Sequence, residues 1–97
     1  TAMPTGYING HITVNDPDAY QEYIVRDTPL IEAAGGKPLV RGGAADNAEG
    51  PDFARHVVFE FPDYEAAKAL YYSEDYQEVA RIRRENATSM IVLVEGV

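Results

Sequence analysis

The chain has 97 residues, 45% of them hydrophobic and 25% charged, a balance that suits one globular domain rather than a disordered segment. Its formal net charge is −8 and it contains no cysteine. A large basic face for nucleic acid is therefore excluded, as are disulfides, thiolate metal sites, iron–sulfur clusters and cysteine nucleophiles.

No apolar run approaches the ~20 residues that a membrane span needs, so no membrane association is expected. The opening Thr-Ala-Met-Pro-Thr lacks the basic-then-apolar order of a signal peptide. Thr1 and Ala2, ahead of Met3, read as an expression remnant; residues 1–97 are expected to form a single domain in which 1–5 are disordered or a remnant. The lack of cysteine is compatible with a reducing cytosol, and a cytoplasmic location is the expectation.

From Gly6 to Val14 the residues alternate, with Ile8, Ile12 and Val14 on one side and Tyr7, Asn9, His11 and Thr13 on the other. That period of two predicts a strand, with Gly10 marking close packing or a bulge. Asp16 and Pro17 then suit the cap and first position of a helix. Ala19, Tyr20, Tyr23, Ile24, Ile31 and Ala34 follow at helical spacing, up to a left-handed cap at Gly35-Gly36. Pro29 inside this pattern predicts a kink or a split.

Lys37 to Gly43 reads as a short edge strand because of Pro38, with Leu39 and Arg41 on one face. Ala44 to Ala54 is rich in turn formers and reads as a surface loop. Arg55 to Phe61 is the clearest strand: Val57, Phe59 and Phe61 form an apolar row, and His56, Val58 and Glu60 face the other way. Pro62 stops it and Asp63 caps a helix over Asp63–Tyr72. Ser73 caps a second helical segment that carries Tyr76, Val79, Ala80 and Arg83 on one side. Ser89 to Glu95 is a nearly continuous apolar strand, which predicts burial on both faces.

The order β-α-β-β-α-β with right-handed crossovers predicts an α+β fold of the ferredoxin-like type. A four-stranded antiparallel sheet has its first and third strands central and its helices on one face. The bare face would expose Leu39, Val58, Ile91 and Leu93, so a two-fold homodimer packed through it is expected.

By strand parity Asn9, His11, Thr13, Arg41, His56 and Glu60 project from that bare face. A carboxylate, a guanidinium and an imidazole in a half-enclosed space could hold an anion and move a proton. His11 and Glu60 are the candidate catalytic residues, with Asn9, Arg41, Arg83 and Tyr23 as candidate substrate-binding ones. The bland readings stay open beside these. His11 can simply satisfy a hydrogen bond, Arg41 and Glu60 can form a structural ion pair, and His56 can be solvated. Tyr20, Tyr23 and Tyr76 can belong to the core, and Arg83 can reach a buried acceptor. No metal site is expected, since nothing makes His11 and His56 converge, and no cofactor motif is present. The glycine pairs lack the setting and lysine of a phosphate loop, and there is no Gly-x-Ser-x-Gly elbow.

These residues together resemble the bacterial family grouped as domain of unknown function 1330, over Gly6 to Val97. The pieces that carry the likeness are Tyr7, Asp16-Pro17 with Tyr20 and Tyr23, Gly35-Gly36, Arg41-Gly42-Gly43 and Glu49-Gly50. Glu60-Phe61-Pro62, Ser73 with Tyr76-Gln77, Arg83 and the closing Val94-Glu95-Gly96-Val97 complete it. The resemblance implies a dimeric α+β barrel and no established activity. Similar barrels include cofactor-independent monooxygenases, haem-degrading enzymes, muconolactone isomerases and stress-response proteins. Two departures are Lys37-Pro38, where the family more often has an aromatic, and Arg84 beside Arg83. Three functions remain open: a metal-free enzyme acting on a small anionic or aromatic compound, a ligand-binding or stress-response module without catalysis, and a purely structural dimer.

Overall fold

The computed structural model describes residues 4–97. The elements run β1 (Gly6–Val14), α1 (Pro17–Ala33), β2 (Lys37–Arg41), β3 (Arg55–Phe61), α2 (Tyr64–Tyr71), α3 (Glu74–Asn86) and β4 (Ala87–Glu95). All strand pairs are antiparallel and the sheet order is β2-β3-β1-β4. The fold is thus α+β and ferredoxin-like, with β1 and β3 central and the proline-bearing β2 at an edge.

Local chemistry sets the element boundaries. Asp16 Oδ1 accepts from the Ala19 amide at 3.2 Å, Asp63 Oδ1 from Ala66 at 2.7 Å, and Ser73 Oγ from Tyr76 at 3.2 Å. Each satisfies an amide that the helix start leaves without a partner. Gly35 has φ 85°, a conformation that costs a side-chain-bearing residue, and Gly36 N donates to Ile31 O at 2.9 Å. Pro29 neither splits nor ends α1, which runs from Pro17 to Ala33. The carbonyl that proline leaves without a donor belongs to Val25, an exposed residue that water can reach.

Helices cover one face only. Ile8, Ile12, Val57 and Phe61 from the central strands are buried with Ile31, Leu70, Tyr76, Val79 and Ala80 from the helices. Phe59 is partly buried beside them, so the apolar row of β3 lies under the helices as its alternation predicts.

Two parities differ from the sequence reading. In β2 the register shifts between Pro38 and Val40, so Leu39 sits in a bulge. Val40 then pairs with Val58 and Arg41 with Val57, which turns Arg41 to the helix side instead of the bare face. In β4, Met90 pairs with His11, Val92 with Asn9 and Val94 with Tyr7. The bare face therefore carries Met90, Val92 and Val94, while Ile91 and Leu93 pack under the helices. An all-apolar run has no alternation to reveal this phase.

The expectation about residues 1–5 lies outside the described residues for 1–3. Thr5 belongs to the fold, since its carbonyl accepts from Gly96 N at 2.7 Å.

Candidate functional site

The bare face does not gather its polar residues into one site. His11 and His56 pair across β1 and β3, with their Nδ1 atoms 2.9 Å apart. Glu60 sits four residues further along β3, about 13 Å away at strand rise. There it accepts from the Tyr7 hydroxyl at 3.2 Å and forms a partly exposed ion pair with Lys37 at 3.7 Å. A pair of this kind contributes little. Thr13 Oγ1 accepts from Ala54 N at 3.3 Å, and Asn9 lies opposite Val58 and Val92. Within one chain His11 and Glu60 thus stand apart, and Arg41 has left the face.

The other candidates converge on the helix side. A cavity of about 30 Å³ lies between the sheet and α1. Asp27, Thr28, Arg41, Arg55, Tyr20 and Tyr23 supply its polar wall, and Ile12, Ile24, Val57 and Phe59 its apolar one. Arg41 Nη2 donates to Thr28 Oγ1 at 3.3 Å, and this pair also borders a second cavity of about 10 Å³ beside Ile31, Gly36 and Pro38. Arg55 lies against Gly42, whose φ of 73° and missing side chain leave room for the guanidinium. Among the described residues, Arg55 Nε is buried with no hydrogen-bond acceptor. Such a donor costs free energy until a partner arrives.

Beneath the cavity lies a buried polar cluster. The Tyr23 and Tyr76 hydroxyls are 2.6 Å apart, and Arg83 Nη1 donates to them at 3.3 and 3.2 Å. Arg83 is 2% exposed, and its side chain meets the cavity only through Tyr23, to which it donates. Burial opposes its charge, the Tyr23 and Tyr76 oxygens favour it, and the net direction is upward. Burial also pushes the three tyrosine hydroxyls up, so they stay protonated near neutral pH.

Asp27 is the titrating group of this region. It is 6% exposed, and burial pushes its carboxyl up to about 6, against the pull of the Tyr23 hydroxyl and the Arg41 guanidinium. A carboxyl there exchanges its proton close to neutral pH, as a general acid or base requires.

Sequence reasoning missed Asp27 and Arg55. Asp27 does carry a signal: it follows Tyr23 by four residues and precedes Ile31 by four, on the stripe that α1 buries. A charged residue on an apolar helical stripe marks either a buried partner or a site. Arg55 had the same parity as Val57, Phe59 and Phe61, which put it on the helix side from the start.

The DUF1330 family profile, a domain of unknown function, matches residues 5–97. Among curated proteins none matches the sequence. A protein of unknown function from Rhodopseudomonas palustris is similar in structure, at 19% identity and a TM-score of 0.74, covering 97% of this chain and 83% of that one. SnoaB, a cofactor-independent oxygenase from Streptomyces nogalater, is similar at 14% identity and a TM-score of 0.65, covering 94% and 91%. A dimeric ferredoxin-like protein of unknown function from Thermobifida fusca is similar at 14% identity and a TM-score of 0.62, covering 96% and 92%. At these identities the likeness shows the fold.

Proposed function

The chain belongs to the DUF1330 family, and on that premise we propose that it is a homodimeric small-molecule enzyme working in the helix-side cavity. Asp27 moves a proton, and Arg41 and Arg55 hold an anionic or carbonyl oxygen of a small, partly aromatic substrate. The observation that carries this reading is the pairing of a buried carboxyl raised to about 6 with the unsatisfied Arg55 Nε in one cavity wall. A proton acceptor and an oxyanion holder on either side of a reacting carbon are what enolisation or phenol deprotonation needs. A cofactor-independent oxygenase on a similar fold supports oxygen chemistry after that deprotonation.

The cavity as it stands holds about one water. Arg41 is exposed and held by a single hydrogen bond to Thr28, so its movement joins the two neighbouring cavities into a larger one. Substrate entry past Arg41 follows from that arrangement.

The dimer forms through the bare face. Val40, Met90, Val92 and Val94 are 43–45% exposed there, around Val58. A second copy removes this apolar row from water, and a similar structure is described as dimeric. A bacterial cytoplasm is the setting this reading assumes.

The test is a thermal-shift screen of small phenols, benzoates and β-dicarbonyls, followed by product analysis under air and under nitrogen. Hits raise the unfolding temperature of the unmodified chain. Arg55→Ala loses the shift, and Asp27→Asn keeps it but loses turnover. Turnover that survives Asp27→Asn would remove proton transfer at this carboxyl from the mechanism. A retained shift with no turnover in the unmodified chain would leave a binding module.

A further inference from the structure

The opposite face of the sheet holds a chain of hydrogen bonds that the helix-side cavity does not use. Strand register pairs His11 on β1 with His56 on β3, and their Nδ1 atoms lie 2.9 Å apart. His56 Nε2 lies 3.0 Å from Asn47 Oδ1. The Asn47 amide is oriented from both ends. Its Nδ2 donates to the Phe53 carbonyl at 3.0 Å, and its Oδ1 accepts from the Phe53 amide at 3.5 Å. Asn47 therefore presents an acceptor to His56.

That one acceptor fixes the protons of both rings. A neutral imidazole has one N–H and one lone pair. Facing Oδ1, His56 Nε2 carries the proton, which leaves the lone pair of His56 on Nδ1. His11 Nδ1 faces that lone pair and donates to it, so the lone pair of His11 is on Nε2. Among the described residues His11 Nε2 has no hydrogen-bond partner, and it is not sealed from solvent. The His11 ring lines a recess of about 340 Å³ at this end of the face, together with Phe53, Pro51, Met90 and the exposed Asp46 and Glu49. The Phe53 and His11 ring centroids are 6.1 Å apart.

We propose that this recess is a second ligand site, in which His11 Nε2 accepts from the O–H of a small uncharged phenol. Asn47 and His56 are the residues that position the acceptor. Each part of such a ligand answers a part of the wall. The lone pair calls for a donor, and a compound without one leaves it unmatched. Phe53, Pro51 and Met90 favour a flat apolar body. Asp46 and Glu49, in a chain of net charge −8, disfavour a carboxylate or any other anion. Proton transfer along this contact balances simply. The ligand O–H breaks, an N–H forms on His11 Nε2, and the ligand becomes a phenolate. The imidazolium keeps its Nδ1–H bond to His56, so no other group has to move.

Met90 also belongs to the apolar row of the bare face, so a second copy packed on that row borders the recess. The hydrogen-bonded chain itself lies within one subunit. The inference does not rest on the helix-side reading, since the two sites share no residue.

The experiment records the nitrogen-15 ring signals of the unmodified chain above the ordinary imidazole titration range. Phenol is then titrated in, and separately anisole, which has a similar shape and no O–H. The His11 proton is expected on Nδ1 and the His56 proton on Nε2, and the reverse tautomer in either ring overturns the proposal. Phenol should move the His11 Nε2 signal together with signals of Phe53 and Met90, and bind roughly two- to tenfold more tightly than anisole. Equal binding of the two, or a His11 signal that phenol does not move, overturns it. Movement confined to Asp27 and Arg55 would do the same and leave the helix-side reading standing, whereas movement at His11 alone would count against the helix-side reading only. Asn47→Ala should weaken phenol binding by about two- to tenfold and let both His56 tautomers appear. Asn47→Asp, which keeps the acceptor, should retain the single tautomer. A His56 tautomer unaltered in Asn47→Ala would overturn the positioning role.

Discussion

The two faces of the sheet are made of the same four strands and behave as different materials. Under the helices the packing is continuous, and its few polar groups are gathered at one end, where α1 and α3 meet the sheet. On the bare face the apolar residues form a half-exposed row, and the polar residues are dispersed along the strands. A buried carboxyl with a guanidinium nearby is shielded from solvent, so its charge state is costly and tunable. The Lys37–Glu60 pair at 3.7 Å is more open to solvent, and an ion pair of that kind contributes little. The group with a perturbed charge state thus lies under the helices, while the bare side offers half-exposed apolar area.

The largest expected effect tests the packed side. Phe61 is 1% exposed, and Phe61→Ala should cost about 3–5 kcal/mol in denaturant unfolding. A cost under about 1 kcal/mol would mean that the helix face is no true core. Next comes Asp27. Its folded value of about 6 lies above the ordinary 3.8, so the folded state binds the proton more tightly. Its contribution to stability is full below pH ~4 and is lost as pH rises through ~6, a change of about 3 kcal/mol. Asp27→Asn should flatten unfolding free energy across that window, and an unchanged slope would contradict the burial argument.

Arg83→Met should cost roughly 1–3 kcal/mol, because two buried hydroxyls lose a charged donor. Calorimetry on Arg83→Met with and without Tyr23→Phe would show whether the two costs overlap, as shared hydrogen bonds require. The smallest effect on the fold belongs to the bare side. Val92→Lys should alter the stability of the isolated chain by only about 0.5 kcal/mol, yet sedimentation should shift from dimer to monomer. An unmodified chain that sediments as a monomer would end the contrast between the faces.

What could be read in advance was whatever left a local chemical trace. Asp16, Asp63 and Ser73 each cap the helix that their side chains predict. The alternation in β1 and β3 placed Ile8, Ile12, Val57 and Phe61 correctly, because polar residues between them mark the phase. The run from Met90 to Val94 has no such marks, and its phase is decided only by pairing with β1. His11 and His56 gave no hint of meeting, since their contact depends on the register between two strands. Arg83 could be assigned to the apolar side of its helix, but the two tyrosines that receive it come from different helices.

The bulge at Leu39 bears on how the family should be compared. β2 is an edge strand, so only β3 holds its register, and one residue of slack can be taken up there without disturbing the central strands. That slack decides on which side of the sheet the Arg41 guanidinium lies. Two relatives whose Arg-Gly-Gly motifs align letter for letter, but whose second strands differ in length by one residue, would present that charge to opposite surfaces. One would have it beside a carboxyl in a cavity, the other on the bare face of the sheet. For this part of the chain, residue count before the arginine is a better guide to chemistry than the arginine itself.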